Sequence, residues 1–140
     1  MTDRIDEKDE VFVDIGELKG EQMQVQITKV FSFDAAHQLP WHQGKCKNLH
    51  GHTYQLEVTV EGPINEDGVV ADFADVGALV KSTVIEKYDH QYLNDHFDNP
   101  TAELLAVSFF KLLEAEGLAV KRITLWETPT CSATVEGETR

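Results

Sequence analysis

The run His50-Gly51-His52-Thr53-Tyr54-Gln55-Leu56-Glu57-Val58-Thr59-Val60 decides how this chain folds. Tyr54, Leu56, Val58 and Val60 fall on one parity together with His50 and His52, while Thr53, Gln55, Glu57 and Thr59 fall on the other. A strict period of two is the mark of a β-strand with one buried face and one wet face. Both histidines open the apolar face, so the strand begins with two imidazoles aimed the way its core residues point.

Upstream, the same alternation runs through Val25, Ile27, Lys29, Phe31, Phe33, Ala35 and His37, with mostly polar residues between. His37 ends that apolar face. Pairing the two strands as an antiparallel hairpin makes residues 38–48 the connecting loop, and brings the end bearing His37 beside the start bearing His50 and His52. Three imidazoles then meet at one rim of the sheet.

Downstream, the Glu61-Gly62-Pro63 turn and the Asp67-Gly68 signal precede Val76, Leu79, Val80 and Val84, which recur at helical spacing through about Lys87. A second helix follows Thr101, a good N-cap. Ala102, Leu105, Ala106, Phe109, Leu112 and Leu113 form its stripe, and Gly117 is its stop. Val120 to Trp126 reads as a third strand and Cys131 to Val135 as a short fourth, with Pro129 in the turn. The order is β-β-α-α-β-β, an α+β layout with an antiparallel sheet and two helices on one face. Edges not protected by Pro or bulges predict assembly through the sheet edges.

At 140 residues the chain suits one domain with a real core. Residues 1–22 hold eight acidic against three basic residues and read as a loosely ordered extension, leaving 23–140 as the folded domain. The formal net charge of −13 argues against nucleic acid or an anionic membrane as partner, since both need clustered Lys and Arg. No apolar run approaches the roughly 20 residues of a membrane span. The start, with Asp3, Arg4, Asp6 and Glu7, lacks a signal-peptide core, which predicts a cytoplasmic protein. Cys46 and Cys131 are expected as reduced thiols.

The chemistry centres on Cys46-Lys47-Asn48-Leu49-His50-Gly51-His52. Residues two apart on a strand face the same way, so His50 and His52 reach one ion, and His37 completes three neutral nitrogens. Such a set leaves tetrahedral zinc one open position for water or substrate. A histidine pair of this spacing is common without a metal. Three imidazoles together, however, are costly to bury without a shared partner. Cys46 has three readings: a fourth ligand closing a structural site, a reactive thiol beside the ion, or an inert cysteine, which suits so polar a loop least.

Asp89 and His90 are adjacent in sequence, where a carboxylate can tune an imidazole for proton transfer or merely cap a helix end. Glu127 continues the face of Ile123 and Leu125, so it points a carboxylate where an apolar side chain is expected. A ligand with two adjacent N–H groups, such as the 2-amino-pyrimidinone edge of a pterin, would satisfy both oxygens; an exposed strand end is the competing reading.

Taken together, Phe31-Ser32-Phe33-Asp34-Ala35-Ala36-His37, Cys46-x-x-x-His50-Gly51-His52, Asp89-His90 and Glu127-Thr128 resemble the 6-pyruvoyl-tetrahydropterin synthase and 6-carboxy-tetrahydropterin synthase family. The resemblance spans residues 24–136 in order. It implies the tunnelling fold, with trimers stacked as hexamers and sites between subunits. It also implies zinc on His37, His50 and His52, Cys46 as catalytic base, Asp89 and His90 as proton relay, and Glu127 as pterin anchor. The short Cys46 to His50 spacer resembles the carboxy branch, which serves queuosine and related deazapurines. That branch implies conversion of 7,8-dihydroneopterin triphosphate to 6-carboxy-5,6,7,8-tetrahydropterin, acetaldehyde and triphosphate. The pyruvoyl reaction and a non-catalytic zinc module remain the alternatives.

Overall fold

In the computed structural model, residues 13–18 and 23–137 are described. Most of the acidic extension expected at 1–22 lies outside the described residues; within it, Ile15–Leu18 forms one 3-10 turn. The two long alternating segments form β1 (Val25–His37) and β2 (His50–Gly62). They pair antiparallel from Val25 opposite Gly62 to His37 opposite His50, as the alternation predicts. Then follow α1 (Phe73–Val80), a π-helical turn over Lys81–Ile85, α2 (Glu86–Tyr88), β3 (Gln91–Tyr92), α3 (Ala102–Ala115), β4 (Val120–Thr128) and β5 (Cys131–Glu136).

The sheet order is β3-β1-β2-β4-β5, with β2–β4 and β4–β5 antiparallel. One correction concerns its edge: β3 pairs parallel with Ala35 and Ala36 of β1, so the sheet is mixed rather than purely antiparallel. Two residues carry too little pattern to be read as a strand.

Alternation sorts the side chains. Phe31, Phe33, Tyr54, Leu56, Val58, Ile123 and Leu125 are buried in one cluster with Val76, Val80 and Val84 and with Leu105, Ala106, Phe109 and Leu113 of α3. This is the layer between sheet and helices, and burying each such side chain contributes roughly 1.5–3 kcal/mol. Thr101 caps α3 by accepting the Leu104 N–H, and Asp72 caps α1 by accepting from Ala74. Gly117 takes the left-handed φ of 92° that ends α3. The π turn rotates the helical stripe, so Thr83 is buried beside Val84.

Candidate metal centre

The hairpin register sets His37 directly opposite His50, and His52 follows on the same face two residues along β2. The ring centroids of His37 and His50 are 4.6 Å apart, those of His37 and His52 5.1 Å, and those of His50 and His52 4.8 Å. One ring nitrogen from each lies within 4.8 Å of the other two.

Second partners fix which nitrogens face inward. His37 Nδ1 lies 2.8 Å from the Pro100 carbonyl oxygen, and His50 Nδ1 lies 2.7 Å from that of Asn48. A carbonyl only accepts, so each Nδ1 carries the proton and each neutral ring presents its Nε2 lone pair. Those two Nε2 atoms are 3.0 Å apart. Two lone pairs at that distance repel, and a cation between them removes the conflict. Nitrogens sharing a tetrahedral ion with bonds of about 2.0–2.1 Å stand about 3.3 Å apart, close to the observed spacing.

The third nitrogen makes the same case. His52 Nε2 is buried without a hydrogen-bond partner, and the nearest Glu127 oxygen is 3.9 Å away. A buried polar atom left unpaired costs about 1–3 kcal/mol. Burial lowers the pKa of His37 and of His52, against the raising pull of the Pro100 carbonyl on the first and of Glu127 on both. The rings are thus kept neutral, as ligation requires. The trio fits a divalent metal ion.

Glu127 is half-buried and faces the trio, with its carboxylate 3.8 Å from His37 Nε2 and 3.9 Å from His52 Nε2. The exposed strand end weighed for it is not what the fold makes. A cleft of about 630 Å³ opens beside it, lined by His52, Gln55, Trp126 and Pro129 among others. Trp126 donates its indole N–H to Glu57 at 2.8 Å, which fixes that wall.

Cys46 is a half-buried free thiol in the 3-10 turn Lys45–Lys47. Its carbonyl accepts the Leu39 N–H at 2.8 Å, tying the turn to the residues just after His37. The ligand atoms of this cluster come from the three imidazoles, and Cys46 is not among them.

Asp89 and His90 form a second group. His90 Nδ1 is 3.0 Å from Asp89 Oδ1, so these neighbours in sequence do form a pair. Asp89 Oδ1 also accepts the Asp34 backbone N–H at 2.9 Å, which holds the carboxyl pKa below its usual value, with the His90 contact adding to the effect. Asp34 and Thr53 point to the sheet face away from the helices, opposite in parity to the metal trio. Asp34, Gly51, Thr53, His90 and Tyr92 line a cleft of about 480 Å³ there, and His52 of the trio borders it as well. The ligand atoms of Asp89 and His90 nevertheless group with Asp34 rather than with the three imidazoles.

Pro100, Asn48 and Asp34 escaped sequence reading. Asn48, two residues before His50, carries a local signal; Pro100 and Asp34 act across 63 and 55 positions, which no spacing rule detects.

A family profile described as 6-pyruvoyl tetrahydropterin synthase matches residues 26–138. The chain is 35% identical over 132 residues to the 6-carboxy-5,6,7,8-tetrahydropterin synthase of Haemophilus influenzae, covering 75% of this chain and 94% of that one. It is 40% identical over 115 residues to the protein of that name from Synechocystis sp., covering 76% and 89%. The structure of Caenorhabditis elegans 6-pyruvoyl tetrahydropterin synthase superposes with a TM-score of 0.74 at 27% identity, covering 84% of this chain and 98% of that one. The chain has the tunnelling fold of these synthases.

Proposed function

Because the chain belongs to the 6-pyruvoyl tetrahydropterin synthase family, we propose that it is a zinc-dependent 6-carboxy-5,6,7,8-tetrahydropterin synthase. It converts 7,8-dihydroneopterin triphosphate and one water to 6-carboxytetrahydropterin, acetaldehyde and triphosphate, and feeds deazapurine formation for queuosine in the cytoplasm. The observation that carries this reading is the convergence of three imidazole nitrogens with Glu127 beside them. The short Cys46 to His50 spacer and the names of the Haemophilus and Synechocystis relatives support the carboxy product over the pyruvoyl one.

Zinc held by His37, His50 and His52 would polarise a substrate side-chain oxygen and acidify the neighbouring C–H protons. Cys46 takes one such proton as thiolate. Glu127 accepts the paired N–H groups of the pterin edge and orients the ring. Asp89 accepts from His90 Nδ1, which leaves His90 Nε2 as the nitrogen that exchanges a proton with substrate. A neighbouring subunit supplies that pair to each metal centre in this reading, which the grouping of Asp89 and His90 with Asp34 rather than with the imidazoles supports. Assembly through the sheet edges as a hexamer of two stacked trimers meets that need.

The test is to incubate zinc-loaded protein with dihydroneopterin triphosphate and identify products by mass. Carboxy-pterin with acetaldehyde is expected. The pyruvoyl product is the second reading, favoured by the likeness to the Caenorhabditis enzyme, and no turnover by metal-loaded protein overturns both.

A further inference from the structure

His90 is the only non-glycine residue with positive φ among the described residues, at 62°. An imidazole-bearing residue in the left-handed region needs its surroundings to hold it there, and such strain gathers where geometry matters to function. The holding group is Asp34. Its backbone N–H donates to Asp89 Oδ1 at 2.9 Å, and its carbonyl accepts the His90 N–H. The parallel pairing of Gln91 and Tyr92 with Ala35 and Ala36 begins at the next residue and locks the turn against β1.

The side chain of Asp34 is also fixed. Thr53, its partner across the β1–β2 ladder, donates its hydroxyl to Asp34 Oδ1. One carboxylate oxygen each from Asp34 and Asp89 and one ring nitrogen of His90 all lie within 4.8 Å of one another. The imidazole thus has a hydrogen-bonded carboxylate and a second negative charge close by. A threonine at 53 is what keeps that second carboxylate from swinging into water.

We infer that Asp34 is a positioning residue for the Asp89–His90 pair: its main chain seats the turn, and its Thr53-anchored carboxylate keeps a second negative charge beside the His90 ring, which favours the orientation in which Nδ1 faces Asp89. This rests on the reading that the pair exchanges a proton with substrate, and it gives Thr53 a function beyond sheet pairing. Neither residue touches substrate in this role. Loss of the carboxylate lets the ring sample other rotamers, which lowers turnover with little change in substrate binding.

The test compares Asp34→Ala, Asp34→Asn, Asp34→Glu and Thr53→Val with Thr28→Val. The last removes a similar cross-strand bond, 2.6 Å to Thr59, at the far end of the same two strands. Expected for Asp34→Ala and Asp34→Asn is a kcat lower by roughly ten- to a hundredfold with KM held within about threefold. Thr53→Val should fall between them and wild type, Asp34→Glu should recover part of the loss, and Thr28→Val should match wild type. Nitrogen NMR of the His90 ring gives a readout independent of turnover: Nδ1 is the protonated nitrogen in wild type, and that tautomer loses population in Asp34→Asn. An unchanged His90 ring in Asp34→Asn, or equal losses in Thr28→Val and Thr53→Val, overturns the inference. Absence of pterin turnover in wild type would instead count against the proposed reaction and leave the NMR comparison to decide the role of Asp34.

Discussion

The two chemical groups of this subunit are built in opposite ways. The imidazole trio stands on two thirteen-residue strands in continuous register, on the helix-packed face, with His37 buried. The Asp34, Asp89 and His90 group lies on the outward face and depends on a tight turn, with the His90 side chain 75% exposed. A site set in a core is rigid but hard for a large substrate to enclose. A site on an open face needs a second surface to close over it. One chain thus carries a set of three imidazoles that fits an ion and, apart from it, an exposed carboxylate–imidazole pair.

The sharpest way to separate the two is to disable each alone. His37→Ala removes the central ligand and leaves the facing lone pairs of the remaining set incomplete. Metal content should fall to background and turnover by more than about ten-thousandfold, while the Asp89–His90 pair stays intact by NMR. Cys46→Ala should keep one metal per chain by elemental analysis and lose roughly a thousandfold in kcat. Loss of metal in that variant would revive the closed, four-ligand reading. Asp89→Asn should keep the metal and lose about a hundredfold in kcat, because an amide no longer dictates which His90 nitrogen carries the proton.

Legibility in the sequence divides along the same line. The strands bearing the trio were readable because a period of two says both where a residue is and which way it points. The convergence of His37, His50 and His52 follows from that alternation, whereas Glu127 shares the parity of Ile123 and Leu125 but its inward aim over an exposed strand end is settled only by the fold. The short β3 strand, the π turn and the clamp by Asp34 were not readable. Each is settled by contacts between distant segments, and Gln91–Tyr92 is too brief to show any period. Asp89 next to His90 was visible as a pair of letters, but the bond between them depends on a backbone φ that sequence does not state.

The smallest expected effect concerns pH. Burial lowers the pKa of His37 and His52, so the folded metal-free chain binds fewer protons than the unfolded chain just below the ordinary histidine value of about 6.5. Stability contributed by this neutral state is full above that value, declines as pH falls through it, and levels off below the lowered folded pKa values. Metal affinity falls over the same window, since protons compete for the same lone pairs. Melting curves of metal-free wild type and His52→Ala between pH 5 and 8 check the sign. The variant should lose less stability than wild type on acidification, and an equal loss would remove His52 from the account.

The claim on which everything turns is that three imidazoles hold one divalent ion and leave a position open. X-ray absorption spectroscopy of the protein purified with zinc addresses it directly. The account predicts one zinc per chain, with three imidazole nitrogens and one light oxygen-type scatterer at about 2.0–2.1 Å. A sulfur scatterer at about 2.3 Å would mean that Cys46 closes the shell, and absence of bound metal would mean that the trio is only a structural knot of histidines.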